Sequence, residues 1–137
     1  MKPPFLLDTC ACIWLLADTL PAHAVKALTD AFNEGHKTFV SPITAWEVGM
    51  QARKGRFKSH LPPQRWFATL RETPGMAVAP MPPEILIQSS ELPDFSEGDP
   101  ADRVFAATAR EYGYTLVTAD RALLDYGRQG YLSVVAC

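Results

Sequence analysis

The stretch Gly98-Asp99-Pro100-Ala101-Asp102-Arg103, running on to Gly113 and then Thr115-Leu116-Val117-Thr118-Ala119-Asp120, decides how this chain folds. Asp99 before Pro100 is an N-cap followed by a residue suited to the first helical position, so a long helix starts at Pro100 and runs to Tyr112, where Gly113 ends it. Asp102 falls at the third helical position, where the free amides and the helix dipole favour a carboxylate. Thr115–Thr118 reads as a strand, and Asp120 to Tyr126 as a short helix. Helix, strand and helix in quick succession imply a parallel sheet whose strands are joined by helices.

Working outward, the same alternation recurs. Phe5-Leu6-Leu7 is a short buried strand, and Ala11 to Ala17 a helical segment carrying Ile13, Trp14 and Leu16. Pro21 opens a helix to Asn33 with Ala24, Val25, Leu28 and Phe32 on one face, and Lys37–Val40 is the next strand. Ser41 caps a helix from Pro42 to Arg53, which puts Glu47 in the second turn near Ile43 and Met50, on a side expected to face inward. Gln64 to Arg71 is a helix, Met76 to Pro80 a strand, Pro82 to Ser90 a helix, Leu92 to Gly98 a loop and Tyr131 to Val135 the last strand. The expected fold is α/β, a parallel sheet of four to five strands flanked by helices on both faces, with residues 1–137 forming a single domain.

Composition narrows the class. A chain of 137 residues, 47% of them hydrophobic, can bury one substantial core. Thirteen Lys and Arg against fifteen Asp and Glu leave a net charge of −2, so nothing draws the whole molecule to nucleic acid; an anionic substrate would need a metal and local basic groups. Cys10, Cys12 and Cys137 are odd in number and lack metal-site spacing with histidine, which favours a reduced, cytoplasmic setting over a disulfide framework or a zinc site. Pro3, Pro4 and Asp8 break the apolar start of the chain, and no run approaches the roughly 18 apolar residues that span a bilayer. Neither export nor a membrane span is expected.

The acidic residues carry the chemistry. Asp8 follows the first strand, Glu47 lies on a helix face, Asp102 opens a helix and Asp120 follows a late strand. In a parallel α/β sheet the C-terminal ends of the strands share one edge, so acids far apart in sequence can meet there. Two unit charges about 4 Å apart repel by roughly 4 kcal/mol at an effective dielectric near 20, and an all-oxygen donor set resolves this by holding Mg²⁺ or Mn²⁺. Taken singly, Asp8, Asp99 and Asp120 are each explained as helix caps; Glu47, costly to bury alone, needs an arginine or a metal. Arg103 and Arg121, each beside an acid, are candidates for substrate phosphate, their plainer reading being ion pairs with those acids. Lys54, Arg56, Lys58, His60 and Arg65 make a basic stretch that either steers an anion or is a solvated face. Trp14, Trp46 and Trp66 read as core or interface anchors. No histidine base stands in register with Cys10 or Cys12, which argues against thiol nucleophilic chemistry.

Leu-Leu-Asp-Thr (6 to 9), Ser-Pro-Ile-Thr-Ala-Trp-Glu-Val (41 to 48), Gly-Asp-Pro-Ala-Asp-Arg-Val-Phe-Ala-Ala-Thr-Ala (98 to 109) and Leu-Val-Thr-Ala-Asp-Arg (116 to 121) together resemble the PIN domain, and more narrowly the VapC-type toxins of bacterial toxin–antitoxin pairs. The resemblance covers nearly the whole chain, in order and spacing. It implies a metal-dependent endoribonuclease in which Asp8, Glu47, Asp102 and Asp120 are the catalytic, metal-holding acids, with Mg²⁺ or Mn²⁺ as cofactor. It further implies accessory roles for Asp99, Thr9 and Thr118, the last by hydrogen bonding to one of the acids. Cys10 and Glu97-Gly98 depart from the family pattern, where many members carry histidine.

The resemblance also implies partners: an RNA substrate, a cognate antitoxin protein that inhibits the enzyme, and a second copy in a homodimer or a larger toxin–antitoxin assembly. Apolar surface expected around Trp66, Phe67 and Leu70 fits such association. Three rival classes fit the sequence less well. A haloacid-dehalogenase phosphatase wants a second Asp two residues after the first, where this chain has Cys10. A catalytically silent PIN-like interaction domain would have no reason to tolerate the clustered acids, and a structure-specific DNA nuclease usually needs elements for which 137 residues leave little room.

Overall fold

The computed structural model describes residues 2–137. In chain order its elements are β1 (Phe5–Leu7), α1 (Thr9–Leu16), α2 (Ala22–Asn33), β2 (Thr38–Val40), α3 (Pro42–Arg53), α4 (Pro63–Glu72), β3 (Met76–Val78), α5 (Pro83–Ser90), α6 (Pro100–Tyr112), β4 (Thr115–Thr118), α7 (Arg121–Arg128) and β5 (Ser133–Ala136). The five strands form one sheet in the order β3-β2-β1-β4-β5, and every neighbouring pair is parallel. Winding goes one way from β1 through β2 to β3 and the other way through β4 to β5. The point where strand order reverses therefore lies between β1 and β4, where Leu7 pairs with Val117.

Strand side chains alternate between two cores. Phe5, Leu7, Val40, Val117 and Val135 face α1, α2 and α4 on one side, where Ala11, Cys12, Ala24, Leu28, Trp66 and Leu70 cover them. Leu6, Phe39, Leu116 and Val134 face α6 and α7, meeting Ala101, Phe105, Ala106 and Leu123. Helix α5 adds an outer patch on α6, with Ile85 against Val104 and Ala107. Both faces are covered, and every residue of β1 and β4 is accordingly buried.

Local signals place the helix ends. Ser41 Oγ accepts from the Ile43 amide at 3.1 Å at the head of α3, and Asp99 Oδ1 accepts from the Ala101 and Asp102 amides at 2.9 and 3.2 Å at the head of α6. Gly113 closes α6 at φ 72°, a left-handed conformation that suits glycine. Among the described residues no helix is long and apolar enough to cross a membrane.

Two expected faces are corrected. Helix α2 buries Ala24, Ala27 and Ala31 with Leu28, whereas Val25 and Phe32 stand 41% and 52% exposed. The small side chains let the helix approach the sheet closely, which turns the two larger residues outward. The apolar surface expected around Trp66, Phe67 and Leu70 is the inner face of α4: Trp66 and Leu70 are buried, Phe67 packs partly against the same core, and Phe57 meets Trp66 edge-on at 5.6 Å. The large apolar side chains that reach solvent are instead Val25, Phe32, Trp46, Leu86, Ile87 and Tyr112.

Candidate active site

Asp8 leaves β1 directly at the reversal of strand order and caps α1, its Oδ1 accepting from the Ala11 amide at 2.8 Å. Its other oxygen, Oδ2, accepts from Thr118 Oγ1 at 2.6 Å across the β1–β4 boundary. The same hydroxyl oxygen accepts from the Asp120 amide at 3.0 Å, while Asp120 Oδ2 caps α7 through the Leu123 amide at 3.0 Å. Thus the ends of the two central strands are joined through a side chain, and the N-termini of α1 and α7 both point to this edge.

Glu47 reaches the edge from α3. Thr9 donates a hydrogen bond to Glu47 Oε1, and the Thr9 hydroxyl lies 3.1 Å from that of Thr44, which is wholly buried. Thr44 carries no motif of its own in the sequence; its place one turn before Glu47 on the same helix is the signal that marks it. Asp102 sits in the first turn of α6, half-buried, beside the Asp99 cap.

The electrostatics show that these groups share one space. Burial, followed by the negative charges of Asp120, Asp99, Glu47 and Asp8, pushes the Asp102 carboxyl up to about 8. Burial also raises Asp8 and Glu47, against the lowering effect of the Thr118 and Ala11 hydrogen bonds on the first and of Thr9 on the second. The Cys10 thiol, raised by burial and by Asp8, Glu47, Asp102 and Asp120, is pushed up to about 11 and stays protonated. No basic side chain offsets this field: among the described residues the ion pairs are Lys26–Asp30 and Arg128–Asp125, on the outer faces of α2 and α7.

This donor set fits a hard divalent cation. It is all oxygen, it is uncompensated by lysine or arginine, and its acids keep free lone pairs after their caps are made. Among the described residues no three acidic, histidine or cysteine side chains close on a single point.

The two arginines part company. Arg121, the first residue of α7, is exposed beside Asp120. Arg103 is turned from both expected partners: Nε donates to the Ser89 carbonyl at 2.7 Å, and Nη1 to the carbonyls of Phe95 and Glu97 at 3.0 and 2.7 Å. Nε and Nη1 of this guanidinium are thus engaged by backbone within the protein, which argues against the phosphate contact expected for it. The basic stretch from Lys54 to Arg65 is a solvent face, with Lys54, Arg56, Lys58, His60 and Arg65 all exposed.

A family model for the PIN domain matches residues 5–129. The chain belongs to the PIN domain family. Ribonuclease VapC22 of Mycobacterium tuberculosis (strain ATCC 25618 / H37Rv) is 31% identical over 121 residues, covering 88% of this chain and 90% of that protein. Solved structures share the fold. VapBC2 from Rickettsia felis, bound to a DNA fragment from its promoter, superposes with a TM-score of 0.69 at 17% identity over 96% of this chain and 97% of that one. DNA-bound VapBC from Salmonella typhimurium gives 0.63 at 20% over 98% of both, and a toxin–antitoxin complex from Klebsiella pneumoniae 0.61 at 22% over 96% of both. In this PIN domain Asp8, Glu47, Asp102 and Asp120 lie close enough to act on one another's charge.

Proposed function

We propose that the protein is a divalent-metal-dependent endoribonuclease that hydrolyses RNA phosphodiester bonds and acts as the toxin of a toxin–antitoxin pair. The observation that carries this reading is the gathering of Asp8, Glu47, Asp102 and Asp120 at the reversal of strand order with no basic partner. The 31% identity to a VapC ribonuclease supports RNA as the substrate class.

In this reading Asp8, Glu47, Asp102 and Asp120 hold Mg²⁺ or Mn²⁺, which when bound lowers the pKa of water and offsets charge on the scissile phosphate. The chain's own residues then have separable tasks. Thr118 and the Ala11 amide fix both oxygens of Asp8, and Thr9 aims Glu47. Asp102, set in the first turn of α6, is the acid most in need of a positive neighbour. Arg121 stands free to meet a substrate phosphate. Nothing in this scheme requires a side-chain nucleophile.

An inhibitory antitoxin is the proposed protein partner, since the fold is shared with toxin–antitoxin complexes. The open groove lined by Ala45, Gly49, Phe67 and Ala68, with Arg65 and Arg71 at its rim, supports an apolar segment flanked by acids as the docking element. A second copy of the chain and a cytoplasmic location complete the proposal.

The deciding experiment is cleavage of end-labelled single-stranded RNA by the purified chain, with Mg²⁺ or Mn²⁺ and with excess EDTA. The expected result is cleavage that needs the metal and disappears in Asp8→Asn and Asp102→Asn, together with growth arrest on expression of the parent alone. Cleavage that persists in chelator, or an Asn variant as active as the parent, would overturn the assignment.

A further inference from the structure

The residue following Asp102 has an unusual set of partners for an arginine at the mouth of a proposed nuclease site. Arg103 reaches three carbonyls, those of Ser89, Phe95 and Glu97, and its guanidinium lies 5.6 Å from the Phe95 ring centroid. Ser89 belongs to the last turn of α5, whose terminal carbonyls have no helical partners, and Phe95 and Glu97 belong to the loop joining α5 to α6. One side chain thereby ties the end of α5 and the far half of the loop to the first turn of α6.

The near half of the loop is tied to α7. Tyr126 donates to the Pro93 carbonyl at 2.6 Å, its ring packs on Phe95 at 4.7 Å, and the Tyr131 hydroxyl bonds the Asp94 carboxylate. Asp94 itself holds a left-handed backbone at φ 54°, a conformation that aspartate adopts more readily than most non-glycine residues. The loop is thus fastened to α6, whose first turn carries Asp102, and to α7, which Asp120 caps, and it ends on Asp99, the cap that fixes the Ala101 and Asp102 amides.

We infer that Arg103 is a positioning residue for the proposed ribonuclease site: it clamps residues 92–98 against α6 so that Asp99 caps the helix and Asp102 is held at the strand-reversal point. The inference rests on the ribonuclease reading for its catalytic consequence, and on the three carbonyl bonds alone for the clamp. A guanidinium suits this work because its fixed planar fork serves several acceptors at once, which the single ammonium of lysine does not. Turning it toward a phosphate would leave three carbonyls without their donor.

The test uses the full chain with Arg103→Lys and Arg103→Gln. Without RNA, hydrogen exchange at the amides of residues 96–102 is expected to accelerate in both variants; unchanged exchange there would overturn the clamp. In an Asp8→Asn background, binding of a short single-stranded RNA is measured across salt concentrations. A positioning residue leaves the slope of log K against log salt as in the parent, whereas loss of a phosphate contact lowers its magnitude by about 0.7 and would overturn the inference. Turnover is expected to fall roughly tenfold to a hundredfold in kcat with KM near the parent's, and parental kcat in both variants would also overturn it. Should the parent neither bind nor cleave RNA, the ribonuclease reading fails, and the exchange data still decide the clamp.

Discussion

Thr118 Oγ1 donates to Asp8 Oδ2 at 2.6 Å and accepts from the Asp120 amide at 3.0 Å, so one buried hydroxyl at the end of β4 links the acid leaving β1 to the acid that heads α7. Replacing it with the isosteric Thr118→Val keeps the volume and removes both bonds, leaving a carboxylate oxygen that is already largely buried without its donor. The variant is expected to lose about 1 to 3 kcal/mol in urea unfolding and to cleave RNA poorly, whereas Thr118→Ser retains both. A valine variant as stable as the parent would show that water replaces the hydroxyl.

Asp102 gives a pH signature. Its carboxyl titrates near 8 in the metal-free fold and near 4 when unfolded, so between those values the folded state holds the extra proton. Metal-free stability should therefore be greatest below about pH 4 as far as this group is concerned and fall as pH rises toward 8. Solvent screening of the half-exposed group limits the effect to about 2 kcal/mol. Melting curves in EDTA from pH 5 to 8 should show the decline in the parent and a flatter profile in Asp102→Asn; parallel curves would mean that the acids are neutralised in some other way.

Divalent metal should reverse that penalty. If Asp8 is a ligand, the apo parent should melt below Asp8→Asn, since the variant has less mutual repulsion. Mg²⁺ at roughly 100 times its dissociation constant should then stabilise the parent by about 2.7 kcal/mol and the variant much less. Thermal shifts with and without Mg²⁺ measure both differences, and equal shifts would remove Asp8 from the ligand set.

Gly113 offers a control far from any chemistry. At φ 72° its left-handed backbone closes α6, and a Cβ there meets no atom within 4 Å. Gly113→Ala should therefore cost about 1 kcal/mol, purely from backbone strain, with metal response and cleavage unchanged. Circular dichroism melts would register it; a loss of several kcal/mol would point to a packing role instead.

What could be read without coordinates was whatever depends on neighbours in sequence. Ser41-Pro42, Asp99-Pro100 and Gly113 mark helix ends through bonds that span two to four residues, so α3 and α6 begin and end where those signals put them. The alternation of strands and helices implied parallel pairing, and with it one shared edge for Asp8 and Asp120. The direction of a side chain at the junction of several elements was not local in this way. Val25 and Phe32 follow the apolar stripe of α2, yet the close seat of Ala24, Ala27 and Ala31 on the sheet turns them to solvent. Trp66 and Leu70 looked like a free apolar surface until the packing of α4 placed them in the core. Arg103 stands beside an acid in sequence but was claimed by carbonyls of a loop that only the packing of α5, α6 and α7 brings within reach. Helix caps and the parallel architecture were legible along the chain, because they follow from short-range bonding and periodicity. Which faces are buried and which donors remain free came from the packing of the elements, because burial and hydrogen-bond satisfaction depend on residues distant in the chain.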